Sequence, residues 1–363
     1  MPVDKKSAGA PAAAAVPPAT KPTDSILLRH KRDSYYLAIT VFVCAYLFPI
    51  DEAEAAFSMG RSDGVAEYIQ RHWHWIGTIV LRDLALCTII YGGYHKIMYE
   101  GLGRIAIDKL QADGASPKYN PKWPTAEDVS RERFYNYCGW LQLAAYECVF
   151  VHLWASGSLD YHRSFFSEPG STDLSPQLTA YHLLHIVIVP YWRDFHFFFV
   201  HRGMHPWWNR NNGLLQGDLG AFLYRHVHSL HHKSVNPGPW SGLAMHPVEH
   251  TAYFSCALLP LVFKLHPVVF LFNLFHAAIS PMAGHDGLSG EVGGGGYGHY
   301  LHHAHFEVNY GTVKVPLDRL FGCWTNEWPR SKSGALTAGL KEYAQISVPV
   351  LMLSAATALA PTE

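Results

Sequence analysis

The chain has 363 residues, 49% hydrophobic, 14% aromatic and only 16% charged, too few charges for a wholly water-exposed surface. Lys plus Arg (28) and Asp plus Glu (29) nearly cancel, which excludes the basic stripe that nucleic-acid binding requires. Six scattered cysteines with no C-x-x-C pair exclude a disulfide framework or zinc knuckle, and leave 24 histidines as the feature that needs a cause.

Residues 1–33 read as an N-terminal tail, disordered through about residue 24 by its Ala-, Pro- and Lys-rich composition and without the apolar segment of a secretory signal. Residues 34–175 hold three apolar stretches, Tyr35–Ile50, Trp75–Tyr94 and Tyr137–Ala155, each approaching the roughly 20 residues that cross a bilayer as a helix. Residues 176–328 add a fourth, Leu178–Val200, and a longer one, Thr251–Met282. Pro260, Lys264 and Pro267 break that last stretch, which predicts a hairpin of two helices rather than one crossing. Residues 329–363 form a C-terminal tail with one short apolar helix, Ile346–Ala360. Arg29, Lys31 and Arg32 precede the first span and Asp51, Glu52 and Glu54 follow it, so the positive-inside rule puts the N-terminus in the cytosol. Counting spans from there puts every histidine cluster on the cytosolic side. The fold class expected is therefore all-α: a multi-span integral membrane bundle with a cytosolic, histidine-rich metal-binding cap.

The histidines cluster in three places. At the end of the fourth span stand His196, His201 and His205. His201 and His205 are four apart and share a helical face, whereas His196 points about 140° away from His201 on an ideal helix. Either the helix is distorted there or His196 serves a different ion. The second cluster, His226, His228, His231 and His232, and the third, His299, His302 and His303, each contain an H-x-x-H-H. Spacings of three and four put two imidazoles on one face and leave the neighbouring one for a second ion; neutral imidazole suits Fe, Zn, Cu or Ni rather than Mg or Ca. The isolated histidines, among them His182, His185 and His276, read as hydrogen-bonded packing residues. The glycine run Gly293–Gly296 lacks the Lys-Ser/Thr of a phosphate loop and reads as a connector.

Together these residues resemble the three histidine boxes of the sterol desaturase and fatty acid hydroxylase superfamily. His246-Pro-Val-Glu, His285-Asp286-Gly287 and the run from His303 through Asn309-Tyr310-Gly311 to Asp318-Arg319 resemble its sterol C5-desaturase (lathosterol oxidase) branch in particular, over about residues 180–325. The resemblance implies that residues 176–328 are a catalytic domain holding two non-haem iron ions. Its ligands would be His196, His201, His205, His228, His231, His232, His285, His299, His302 and His303, supported by His226, Asp286 and His305. O2 would be the co-substrate, and cytochrome b5 or a similar carrier with its reductase would supply electrons, since the chain has no His-Pro-Gly-Gly motif of its own.

The expected activity is O2-dependent oxidation of a lipid C–H bond in the membrane of the endoplasmic reticulum, as sterol desaturation or hydroxylation in lipid biosynthesis. A long link after His205 and the H-x(4)-H spacing of His196 and His201 keep a fatty-acyl or sphingolipid hydroxylase and a sterol C4-methyl oxidase open as alternatives. A histidine-rich metal transporter is the rival outside oxygenase chemistry; it would need ligand pairs at mid-membrane depth.

Overall fold

The computed structural model describes residues 26–60, 64–207, 218–288 and 295–325. The N-terminal residues before 26, the linker 208–217, Gly293 and Gly294, and the apolar segment 346–360 lie outside the described residues.

The described chain is helical, and its only extended pairings are two isolated bridges, Lys118 to Leu288 and Ser167 to Leu174. Helix α1 (Ile26–Tyr46) begins within the stretch assigned to the tail, and α2 (Ile50–Ser58) follows after Pro49. Helix α3 (Val65–Cys87) runs on through two π-helical turns, Thr88–Gly92 and Lys96–Glu100, around the short α4 (Gly93–His95), and α5 (Leu102–Ala112) follows. Helix α6 (Ala126–Ala155) starts at a capping box in which the Thr125 hydroxyl accepts from Asp128 N and the Asp128 carboxylate reaches back to Thr125 N. Helix α7 (Pro176–Gly203) starts at Ser175, whose hydroxyl accepts from Leu178 N.

The stretch expected to fold as a hairpin does so. Helix α9 (Pro247–Phe254) continues into a 3₁₀ segment, Ser255–Leu261, and α10 (Pro267–Gly284) returns, with Pro260 and Pro267 bracketing the break. Three short helices complete the fold: α8 (Leu219–His226), α11 (Gly295–His305) and α12 (Leu317–Leu320).

Among the described residues, four segments are long and apolar enough to cross a membrane: Tyr36–Ser58, Val65–Ala112, Pro176–Gly203 and Pro267–Gly284. They make the chain an integral membrane protein. The third expected span is present as the C-terminal part of α6, but Gln142, Glu147 and His152 keep it outside this set. Glu147 is fully buried because it meets Arg82 of α3 at 2.5 Å, and Arg82 also holds Asp83 at 2.8 Å. Paired charges of this kind are how a buried carboxylate is tolerated between apolar helices.

The main core joins α3, α6 and α10 through Tyr91, Trp140, Phe150, Phe270 and Phe275, with Trp240 and Leu243 from the 3₁₀ turn Pro239–Leu243. That core sets α7 and α10 side by side with their C-terminal ends together, and the histidines converge there.

Candidate metal centre

Nine of the ten expected ligands fall into two buried groups. His201, His205, His228, His232 and His302 form one; His231, His285, His299 and His303 form the other. In each group the candidate ligand atoms lie within 4.8 Å of one another. An ion bonded to imidazole at about 2.1 Å would place neighbouring nitrogens about 3.0 Å and opposite ones about 4.2 Å apart, so the spacing fits one ion per group.

Each box contributes by local geometry. His201 lies in the last turn of α7 and His205 just beyond it. His228, His231 and His232 sit on the 3₁₀ segment His228–Lys233, and His285 caps α10. His299, His302 and His303 share a face of α11, spread over a little more than one turn. Gly220 lets α8 press against the first box: a Cβ there would stand 2.1 Å from the His205 carbonyl.

The protons on several rings are fixed from behind. The Nδ1–H groups of His201, His302 and His285 donate to the carbonyls of Tyr310 (2.5 Å), Val308 (2.6 Å) and Pro281 (2.7 Å). His228 Nδ1 donates to the buried Glu249 carboxylate at 2.7 Å. With the proton on Nδ1, each of these rings turns a bare Nε2 lone pair inward. His201 Nε2 and His228 Nε2 then face each other at 3.1 Å with no proton between them. Further Nε2 pairs stand at 3.0 Å (His232 with His228) and 2.8 Å (His299 with His285). His302 Nε2 is buried without a hydrogen-bond partner. Converging lone pairs repel unless a cation sits among them, and the donor set is thus one that a transition metal fits.

Electrostatics agree. Burial, reinforced by neighbouring imidazoles, holds His205, His231, His232, His299 and His303 well below the usual imidazole range. Burial likewise pushes His302 down to about 3 and His285 to about 4. These rings are neutral at physiological pH, the form that binds a metal.

The exception is His196. Helix α7 stays α-helical through this stretch, so the ring faces away from His201 and its Nε2 meets Ser255 Oγ at 2.9 Å. Of the expected supporting residues, His226 is exposed and packs on Phe222, and His305 is half-buried. The Asp286 carboxylate accepts from the Tyr94 hydroxyl and from Leu288 N.

Sequence reasoning gave Glu249 no role, although it ends the His246-Pro-Val-Glu motif; it is the acid in the first turn of α9 and lies on that helix's buried face beside His250. That reasoning also gave no role to the individual residues of the run from Phe306 to Asp318 behind the third box, noted only for its resemblance. Phe306 (φ 65°) and Asn309 (φ 54°) take left-handed conformations, rare for a phenylalanine, and so turn the Val308 and Tyr310 carbonyls toward the histidines. Asn309 is held by Gly298 O, Thr325 O and Thr325 N, and Asp318 accepts from Tyr310 N and Gly311 N, both at 2.7 Å.

Both groups border one cavity of about 370 Å³, lined by His201 and His228 of the first group and His231, His285 and His299 of the second. Phe197 lines it and stacks on His201 with ring centroids 4.8 Å apart; Met245, Tyr253 and Pro281 extend the apolar wall. Of the neighbouring aromatic residues, Phe198 packs into a separate cluster with Tyr310, and Phe199 and Trp207 are exposed.

The sequence profile of the fatty acid hydroxylase family matches residues 186–323. A Delta(7)-sterol 5(6)-desaturase of Gibberella zeae is 28% identical over 36% of this chain and 35% of its own length. A putative Delta(7)-sterol-C5(6)-desaturase of Arabidopsis thaliana is 30% identical over 39% of this chain and 47% of its own, and human lathosterol oxidase is 26% identical over 39% and 45%. The chain thus spans less than half the length of each of these relatives. No solved structure matches it. The match of residues 186–323 to the fatty acid hydroxylase family, the two gathered histidine groups and the sterol desaturases among the relatives together support the sterol desaturase and fatty acid hydroxylase superfamily for this part of the chain.

Proposed function

We propose that this chain is a membrane-bound, O2-dependent di-iron oxidoreductase that oxidises a C–H bond of a lipid, with sterol desaturation the form its relatives favour. The observation that carries the reading is the shared cavity: five histidines from both groups face an apolar space large enough for part of a lipid. One ion would be held by His201, His205, His228, His232 and His302, the other by His231, His285, His299 and His303, within a catalytic domain spanning residues 176–328. When bound and reduced, such a pair of irons activates O2 and supplies the oxidant for an unactivated C–H bond.

The chain's own residues do the rest. Phe197, Tyr253 and Met245 exclude water and hold the apolar body of the substrate against the histidines. Glu249 and the Val308, Tyr310 and Pro281 carbonyls keep the rings neutral on their inner nitrogens. Electrons come from a separate carrier, cytochrome b5 or a similar protein. The charge pattern supports an orientation with the histidines toward the cytosol, and the family resemblance implies the endoplasmic reticulum. The gathering of ligands at the ends of α7 and α10, rather than in pairs at mid-span, favours oxidation over metal transport.

The test is metal content of detergent-purified protein from iron-replete cells, together with the lipid profile of those cells with and without the gene. About two irons per chain and a newly unsaturated or oxygenated sterol or acyl chain are expected. Zinc that crosses vesicles with no lipid change would replace this reading with transport.

A further inference from the structure

Arg193 lies within α7, one of the four segments able to cross a membrane, and its side chain is only 8% exposed. A guanidinium in that position is costly unless it has work and a partner. Its Nε donates to Asp194 Oδ1 at 3.2 Å, but its buried Nη1 has no partner. Asp194 is shared further: its Oδ2 accepts from the Thr312 hydroxyl at 2.9 Å and lies 3.8 Å from Lys314 Nζ. Two cations therefore stand against one carboxylate.

Arg193, Lys314 and His276 all line the cavity that the histidine groups border, and His276 Nδ1 is also buried without a partner. The cavity thus has a polar region rich in unused hydrogen-bonding capacity and an apolar wall at Phe197, Met245 and Tyr253. An apolar lipid with one oxygenated head matches that division.

Resting on the oxidoreductase reading above, we infer that Arg193 is the substrate's polar anchor: its guanidinium, with His276, binds an acceptor oxygen on the lipid head, either a sterol hydroxyl or an acyl carboxylate. An arginine offers donors to both, and to a carboxylate it offers a matching charge. Eight residues, about 12 Å of helix rise, separate Arg193 from His201. Anchoring at Arg193 therefore directs oxidation to carbons near the head rather than to the far end of the lipid.

The test is direct binding to the full chain in phosphatidylcholine nanodiscs, corrected for empty discs. The probes are cholestanol against cholestane and stearate against octadecane, with iron content measured in parallel. In the unmodified protein one oxygenated probe should bind about 10- to 100-fold more tightly than its headless counterpart, the range for a charged hydrogen bond. Arg193→Met should remove that difference while headless binding and iron content stay unchanged. Arg193→Gln, a neutral donor, separates the sources: affinity for cholestanol would largely survive, whereas affinity for stearate would fall with the charge. Equal binding of headed and headless probes by the unmodified protein would overturn the anchor alone, whether or not the variants fold. Failure to bind any of the four would overturn the lipid-oxidising reading beneath it as well.

Discussion

Glu249 is the side chain whose work the structure makes clearest. Its carboxylate fixes the proton of His228 on Nδ1, and removing that charge allows the ring to flip or change tautomer. Glu249→Gln is expected to lower iron affinity about 10- to 100-fold, read by competition with a chelator. His196 provides the contrast. Because its ring faces Ser255 rather than either group, His196→Ala should retain the full iron content, whereas the double variant His302→Ala with His303→Ala should lose iron from both groups and all lipid oxidation. Iron loss in His196→Ala would return that residue to the ligand set.

At the scale of elements, the turn from Phe306 to Asp318 acts as a bracket for the third box. Asp318 is buried and satisfies two backbone N–H groups, Tyr310 N and Gly311 N, beside the carbonyl that orients His201. Asp318→Ala orphans both donors at about 1–3 kcal/mol each, and should lower both thermal stability in detergent and iron retention. The Arg82–Asp83–Glu147 contact between α3 and α6 is of another kind, since it lies away from the histidines. Arg82→Ala leaves two buried carboxylates without their cation and is expected to cost about 3–5 kcal/mol. Iron bound per folded molecule should stay constant in that variant, which thermal unfolding combined with metal analysis would check.

For the whole molecule, the buried imidazoles couple folding to pH. In the metal-free protein His302 and His285 titrate near 3 and 4, against 6.5 for an ordinary histidine. Between those values the unfolded chain binds protons that the folded chain refuses, so stability rises with pH and falls as acid is added. Metal-free protein should therefore lose stability progressively from about pH 6.5 toward pH 4, and the iron-loaded protein should show its metal loss in the same window. A midpoint independent of pH over that range would mean that the rings are not buried as neutral bases. Orientation is a separate question at this scale: a reporter near Ser116 should be accessible from the cytosol, and lumenal exposure would invert the proposed topology.

What was legible in the sequence was whatever depends on short-range periodicity. Helical stretches, the Pro-broken hairpin and the two H-x-x-H-H boxes are local patterns, and the three- and four-residue spacings within each box bring eight of the nine gathered ligands close to others of their own box; His285 and the meeting of the boxes depend on packing. The same periodicity flagged His196 as the misfit, since an undistorted helix turns it away. What only the tertiary structure decided are the long-range partners. Glu249 reaches His228 across 21 residues, Tyr310 reaches His201 across 109, and Arg82 reaches Glu147 across 65. No spacing encodes such contacts. They arise because packing α3, α6 and α10 brings the ends of α7 and α10 together, where every buried nitrogen must find either a proton acceptor or an ion.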